Sequence, residues 1–412
     1  MSSESITCWP EAYGVGESYT ITSDEFKCID HYLKCDCPSL EADQDVAGVG
    51  VIAAFSVSAS LTLALTLLCL LLVRSGDNDT SNALDRYLRK RVCDRFRFWL
   101  GHERADRWRD ISHDMVISLS DQQLVTGTAL LIAALTLLDL ESITVYHFAI
   151  ATDLVWFSSN VHILSLIIIR SFNERIKLKD SLEPPVPLRG QSHSRDKRRR
   201  SMQMYPTLFR SLLMCITAAL LVSVFLISGY KNWYDEFECP AKCTVPYEKG
   251  GEPLVWAILS ITFTVYEYTY ELSLLWNFEW TYIYRLWNCL INNKVVKLAR
   301  DLLSGIRDRH QNLDRGLGFL SRLFQLFWCF WASETWSIMT QIIAHWFGYN
   351  SWSSDRAKGQ DLMTEEQVDK ENELSFGQLV PLLLLLLLLM QFLESAAEHE
   401  ADSRNAKRVK TY

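Results

Sequence analysis

Eight polar or ionisable side chains sit where almost every neighbour is apolar. Asp153, Asn160 and His162 fall in the run 146–169. Glu267 and Glu271 fall in 254–276, and Glu334, Gln341 and His345 in 319–347. An ionised acid at the centre of a bilayer costs ~2.5–3.5 kcal/mol on insertion scales. That is a large share of the ~5–15 kcal/mol by which a fold is stable. Such groups should therefore face protein or water. Their spacing allows it on helices. Glu267 and Glu271 are one turn apart, Asp153 and Asn160 two turns apart, and Glu334, Gln341 and His345 follow at i, i+7 and i+11. The three faces could converge on an interior polar cavity, where paired carboxyls could share a proton. The plainer alternative is a set of interhelical hydrogen bonds, worth ~0.6 kcal/mol each.

Other chemistry is less well served. His147 and His162 are fifteen residues apart, ~22 Å along a helix, too far to share an ion. His147 and His345 could meet, but no third ligand is evident, so no metal site is expected. No Gly-rich phosphate loop, no Ser/His/Asp motif and no nucleic-acid module is present, and no cofactor is implied. The candidate disulfide cysteines are Cys8, Cys28, Cys35, Cys37, Cys239 and Cys243. Six cysteines allow fifteen pairings. Cys93 lies in a basic loop, and Cys69, Cys215, Cys289 and Cys329 lie in or near apolar runs, where free thiols are expected.

The elements that would position these residues are helices of membrane length. A run of about 20 apolar residues crosses ~30 Å of hydrocarbon. Seven runs qualify, at about 47–73, 123–140, 146–169, 207–229, 254–276, 319–347 and 376–392. The second and third form a hairpin around which the chain is organised. The expected fold is all-α, a bundle of seven transmembrane helices. The segments outside it are an acidic Cys-bearing tail (1–46), basic loops (74–121, 170–206, 277–318), an acidic loop (348–375) and a basic tail (394–412). The Pro-rich part of 170–206 and its Lys197–Arg200 run suggest a flexible linker. In the first basic loop Leu84, Leu88, Val92, Phe96 and Trp99 share a helical face flanked by Arg86, Arg89, Lys90, Arg91, Arg95 and Arg97. Such a helix could lie on an anionic membrane surface or pack on neighbouring loops.

Charge orients the bundle. Of 41 Lys and Arg, 31 fall in the segments on one side of the seven crossings and eight in those on the other. Cytosolic loops carry the excess. The N-terminus is therefore expected outside and the C-terminus in the cytosol. The candidate disulfide cysteines then face the oxidising side. The sequon Asn78-Asp79-Thr80 falls in the cytosol and should carry no sugar. No cleavable signal peptide is expected at the acidic start. The plasma membrane is the default location.

The residues Ser120–Gly127, Tyr146-His147-Phe148, Asp153–His162 and Phe376–Pro381 carry a likeness. From the second span onward the chain resembles a family of uncharacterised fungal polytopic integral membrane proteins. The resemblance implies a multi-span helical fold and no particular activity or site.

Three functions are open at this level. A receptor-like or sensory protein suits the outer tail and basic loops, though this is analogy of layout. A proton- or ion-coupled transporter or channel would use the buried acids, and a membrane-embedded enzyme would need the His and acid residues as catalysts. The partners expected are the lipid bilayer and, at the basic loops, a cytosolic protein or anionic lipid. The ligand is not specified by sequence.

Overall fold

The computed structural model describes residues 5–10, 19–22, 33–35, 39–73, 83–140, 142–182, 192–231, 233–234, 236–244, 249–275 and 333–410. Strands β1 (Ser5–Pro10), β2 (Tyr19–Thr22) and β3 (Leu33–Cys35) form an antiparallel sheet in the order β2-β1-β3. Among the described residues the elements that follow it are helices: α1 (Gln44–Ala47), α2 (Val49–Leu72), α3 (Ala83–Leu88), a π-helical turn (Arg89–Cys93), α4 (Asp94–Leu100), α5 (His102–Asp139), α6 (Val145–Leu182), α7 (Ser192–Ser228), α8 (Ala241–Thr244), α9 (Gly251–Leu275), α10 (Glu334–Leu362), α11 (Glu365–Asn372) and α12 (Phe376–Lys410).

The hairpin expected from sequence is present, with α6 as its buried partner. Between Val145 and Ile168 nearly every residue of α6 is buried, because α2, α5, α7, α9 and α10 all pack on it. Helices buried on all sides cannot be amphipathic, and the neighbours of α6 come close to it at glycines of their own. Gly127 of α5 lies where a Cβ would stand 3.2 Å from Val155 and 3.7 Å from Ser158. Gly348 of α10 lies where a Cβ would stand 3.2 Å from the Phe157 backbone, and at Gly359 a Cβ would overlap the Tyr146 ring. These pairings run in opposite senses, so α10 is antiparallel to α6 along its length.

Among the described residues five segments are long and apolar enough to cross a membrane: Gln44–Leu72, His102–Asp139, Val145–Ile168, Thr207–Ser228 and Glu365–Ala397. The more polar α9 and α10 are not among them, yet both pack beside α6. Helix α10 begins against Asp85, near the C-terminal end of α2, and finishes beside Tyr146, where α2 begins. We call that second end, which carries the α5–α6 turn, the hairpin end.

Several boundaries differ from the sequence reading. The sixth apolar run was expected over 319–347. The helix instead starts after Ser333, whose hydroxyl accepts from the Trp336 amide at 3.0 Å, and continues to Leu362. The expected acidic loop 348–375 is therefore largely the second half of α10 followed by α11. The basic loop 277–318 and the first half of the expected sixth span lie outside the described residues. The expected linker 170–206 is helical at both ends, within α6 and α7, while Pro184–Pro187 lie outside the described residues. Helix α12 carries the expected seventh span but runs on through the basic tail.

The basic helix is also turned round. Asp85, Arg89, Cys93 and Arg97 are buried, whereas Val92 and Trp99 are exposed. A four-residue repeat drifts around a regular α-helix. The π turn, with its i→i+5 bonding, takes up ~1 extra residue and keeps the repeat facing inward. What it faces explains the choice. The end of α2 offers its last carbonyls as acceptors for side chains. Arg97 Nη1 donates to Leu72 O at 2.5 Å and Cys93 Sγ to Leu70 O at 3.5 Å. Arg97 also pairs with Asp106 at 2.8 Å.

Candidate functional site

At the hairpin end, α6, α7, α9 and α10 diverge and leave a cavity of about 700 Å³. Its walls are aromatic: Trp156 from α6, Trp233 and Tyr234 from the α7–α8 turn, Trp256 and Phe263 from α9, and Phe347 from α10. Four charged groups reach it, Asp153, Glu252, Asp355 and Lys358. Asp153 lies eight residues from the start of α6, about 12 Å below the hairpin end. Its carboxyl is buried, beside the Ser351 hydroxyl and facing Asp355 on α10. The Lys358 ammonium sits over the Tyr234 ring, 5.3 Å from its centre. Two facing carboxyls repel strongly in low dielectric, so the pair is relieved either by keeping one proton or by a positive charge between them. Aromatic faces favour the same sign of ligand.

The floor of the cavity is apolar. The Trp156 and Phe263 rings meet edge to face, their centres 6.4 Å apart. Glu267 and Gln341 lie deeper, beside one another, and do not line the cavity. Both amide atoms of Gln341 lack a hydrogen-bond partner. Glu271 is buried one turn further along the same face of α9.

Of the side chains expected to share one interior cavity, Asp153 alone lines this one. Asn160 is buried on α6 with its Nδ2 unpartnered. His345 lies against the Phe157 ring, centres 4.3 Å apart. Helix α6 therefore separates His345 from His147 by about ten residues, ~15 Å, and the two cannot share an ion. His162 belongs to a polar cluster nearer the opposite end. Its Nδ1 lies 2.5 Å from Ser120 Oγ, which also accepts from Ser165 Oγ at 2.6 Å. Asp121 and Arg210 form a two-bonded ion pair close by, both bonds at 2.6 Å. Glu334 was expected at mid-span. It is instead the first residue of α10, at a helix end, and its side chain lies outside the described residues. Among the described residues no cluster of three or more His, Cys, Asp or Glu is placed to hold a metal ion.

Sequence reasoning missed Asp355, Lys358 and Ser351, which it assigned to a loop. It also missed Trp233, Tyr234 and Glu252 in the neighbouring loop. The signal was available: Ser351, Asp355 and Lys358 follow at four- and three-residue intervals and share a helical face.

Above the cavity the segment leading into α2 is clasped to α6, α11 and the start of α12. The Asp43 amide donates to His147 Nε2 at 3.1 Å, so the His147 proton is on Nδ1, toward Thr144 Oγ1 at 2.8 Å. The Ala42 amide donates to Gln367 Oε1 at 2.9 Å, and the Gly50 amide to Gln378 Oε1 at 2.6 Å. Burial pushes the Asp43 carboxyl above its ordinary range.

Among the described cysteines, Cys93 and Cys215 are free thiols, as expected, and Cys69 is buried. Cys239 is buried. Cys8 and Cys35 stand opposite each other in the β1–β3 register. The side chains of Cys8, Cys35 and Cys243, and all of Cys28 and Cys37, lie outside the described residues.

Comparison with known proteins gives a partial likeness. A stretch of 119 residues, 29% of this chain, is 33% identical to Elsinochromes biosynthesis cluster protein HP3 of Elsinoe fawcettii. The matched stretch spans less than half of that relative, 43% of its length. No protein-family model matches the chain. No solved structure matches it either. What stands is a helical protein with, among the described residues, five segments long and apolar enough to cross a membrane, and a partial likeness to a fungal biosynthesis-cluster protein.

Proposed function

We propose that this is a receptor-like or sensory membrane protein that binds a small organic cation with an apolar or aromatic body. The observation that carries the reading is the Asp153–Asp355 pair inside an aromatic cavity. The relative's place in a biosynthesis cluster is in keeping with a small-molecule ligand. The cavity's apolar floor favours binding over passage, since it stands between the charged groups above and Glu267 below.

The same reading takes the fold as seven crossings, with α9 and α10 as the fifth and sixth, and as a fungal membrane protein. It takes the hairpin end as the outer face, on the strength of the Lys and Arg asymmetry. Cysteines on that face would then meet the oxidising side, where disulfides form.

The test is a thermal-shift titration of the purified protein in lipid nanodiscs with aromatic ammonium compounds and their neutral isosteres. Cations should stabilise it and the isosteres should not, and the Asp153→Asn/Asp355→Asn variant should lose the response. Equal stabilisation by charged and neutral members would end the proposal. A second reading, an ion-coupled transporter, is favoured by the buried Glu267, Glu271 and Gln341. It requires proton-linked uptake into liposomes that Glu267→Gln abolishes.

A further inference from the structure

The helix formed by α3, the π turn and α4 has its charged side turned toward the bundle, which leaves an unusual outer side. Phe98 and Trp99 are 79% and 78% exposed, and Tyr87 and Val92 are exposed with them. Lys90, Arg91 and Arg95 are exposed on the same helix. Large aromatic residues at this exposure are costly in water, and burying one is worth ~1.5–3 kcal/mol. The helix is also held at a fixed height. Arg97 and Cys93 bind it to the last carbonyls of α2, a segment able to cross a membrane. Asp85 binds it to the start of α10 through Thr335. Its outer side therefore lies at the level where the apolar part of α2 ends.

We infer that this side is a docking surface for anionic lipid of the surrounding bilayer. Phe98 and Trp99 enter the headgroup boundary, and Lys90, Arg91 and Arg95 meet lipid phosphates or carboxylates. Aromatic rings at the boundary and cations above it are the arrangement that interfacial helices use. Each basic residue near an anionic surface adds to the attraction, and the effect is screened by salt. Gly101 makes the geometry feasible. Its φ of 87° turns the chain between α4 and α5, so the first can lie along the surface while the second enters the membrane.

The test is hydrogen–deuterium exchange over residues 83–101 of the full-length protein in nanodiscs. Discs of phosphatidylcholine alone are compared with discs holding a quarter phosphatidylserine. Protection should rise by about ten-fold or more with phosphatidylserine, on the order expected for three basic residues. It should fall back in 0.5 M salt and in the Lys90→Gln/Arg91→Gln/Arg95→Gln variant. The salt arm uses the unaltered chain, so misfolding of the variant would not decide the matter. Equal protection in both discs would overturn the inference. So would protection that appears only when a soluble protein fraction is added, which would make this a protein-docking surface.

Discussion

Asp85 caps a helix that begins 250 residues later. Its Oδ1 accepts from the Thr335 amide at 3.0 Å and from Thr335 Oγ1 at 2.7 Å. The amides in the first turn of a helix have no partner within it, and an acid there also meets the positive end of the helix dipole. Ser333 satisfies one such amide locally and Asp85 another from a different part of the chain. Asp85→Ala should therefore destabilise the protein by about 1–2 kcal/mol, the usual worth of a cap. Asp85→Asn, which keeps the acceptor and loses the charge, should cost less. Thermal unfolding of the purified protein in one detergent would measure both, and an unchanged midpoint for Asp85→Ala would refute the role.

Two glycines set how closely α10 approaches α6. At Gly348 a methyl group would press on Phe157, and at Gly359 it would overlap the Tyr146 ring. Tyr146 and Phe157 are fully buried, so neither ring has room to retreat. Gly348→Ala and Gly359→Ala should each destabilise by about 1–3 kcal/mol, the usual cost of overpacking, with Gly359→Ala the worse. Gly250→Ala is the control, because nothing lies within 4 Å of a Cβ there. Equal midpoints for all three variants would show that the close approach is not needed.

The hairpin could be read from sequence because lipid-length apolar runs leave little choice of structure. Helix α10 could not, for the opposite reason. Its second half carries Asp355, Arg356, Lys358 and Asp361, which average hydropathy reads as a loop. Asp355 and Lys358 face the cavity and Arg356 meets Glu371, while Asp361 is exposed, a tertiary arrangement with no local signature. The Trp-rich stretch before Ser333 looked more like a membrane span than the helix that follows. The basic helix has two readings in sequence, on a membrane surface or packed on neighbouring loops, and what turns Arg97 and Cys93 inward is the pair of carbonyls Leu72 O and Leu70 O at the end of α2. Asp153 was recognisable as a charge in an apolar run. Its partner Asp355 was not, since the pairing depends on the antiparallel register of two helices distant in sequence.

Cys93 offers a check on the buried side of the basic helix. Burial pushes its thiol above the ordinary range, and neighbouring Asp94 adds to the effect, while Arg89 and Arg97 oppose it. Only the thiolate reacts with maleimides. Cys93 should therefore react more slowly at pH 7.5 than a cysteine in a short peptide. Its rate should go on rising beyond pH 9, where the peptide's rate levels off. Since the fold holds this proton where the unfolded chain releases it, the thiol's contribution to stability should fall as the pH rises above ~8.5. Mass spectrometry of the Cys93 peptide over a pH series would follow the reaction. A rate equal to that of the free peptide would mean that the polar side of the helix faces solvent.

Glu371 is the most demanding buried charge near the cavity, with 0% of its surface exposed. Oε1 accepts from the Tyr146 hydroxyl at 2.8 Å, Oε2 accepts from Gln360 Nε2 at 2.9 Å, and the Arg356 guanidinium stands 3.7 Å away. The cluster joins the start of α6 to α10 and α11, about two turns above Asp153. Removing one partner of a buried acid costs more than the bond itself, because the remaining group cannot turn to water. Tyr146→Phe should destabilise by about 1–3 kcal/mol. Arg356→Gln should also destabilise, because it leaves the acid without a counter-charge. The double variant should lose less than the sum, with a coupling of about 0.5–3 kcal/mol, as expected for groups in one network. Chemical denaturation of the four proteins in one detergent would complete the cycle. Strict additivity would show that Tyr146 and Arg356 act independently, and the clasp would then not hold α6 to α10 as a unit.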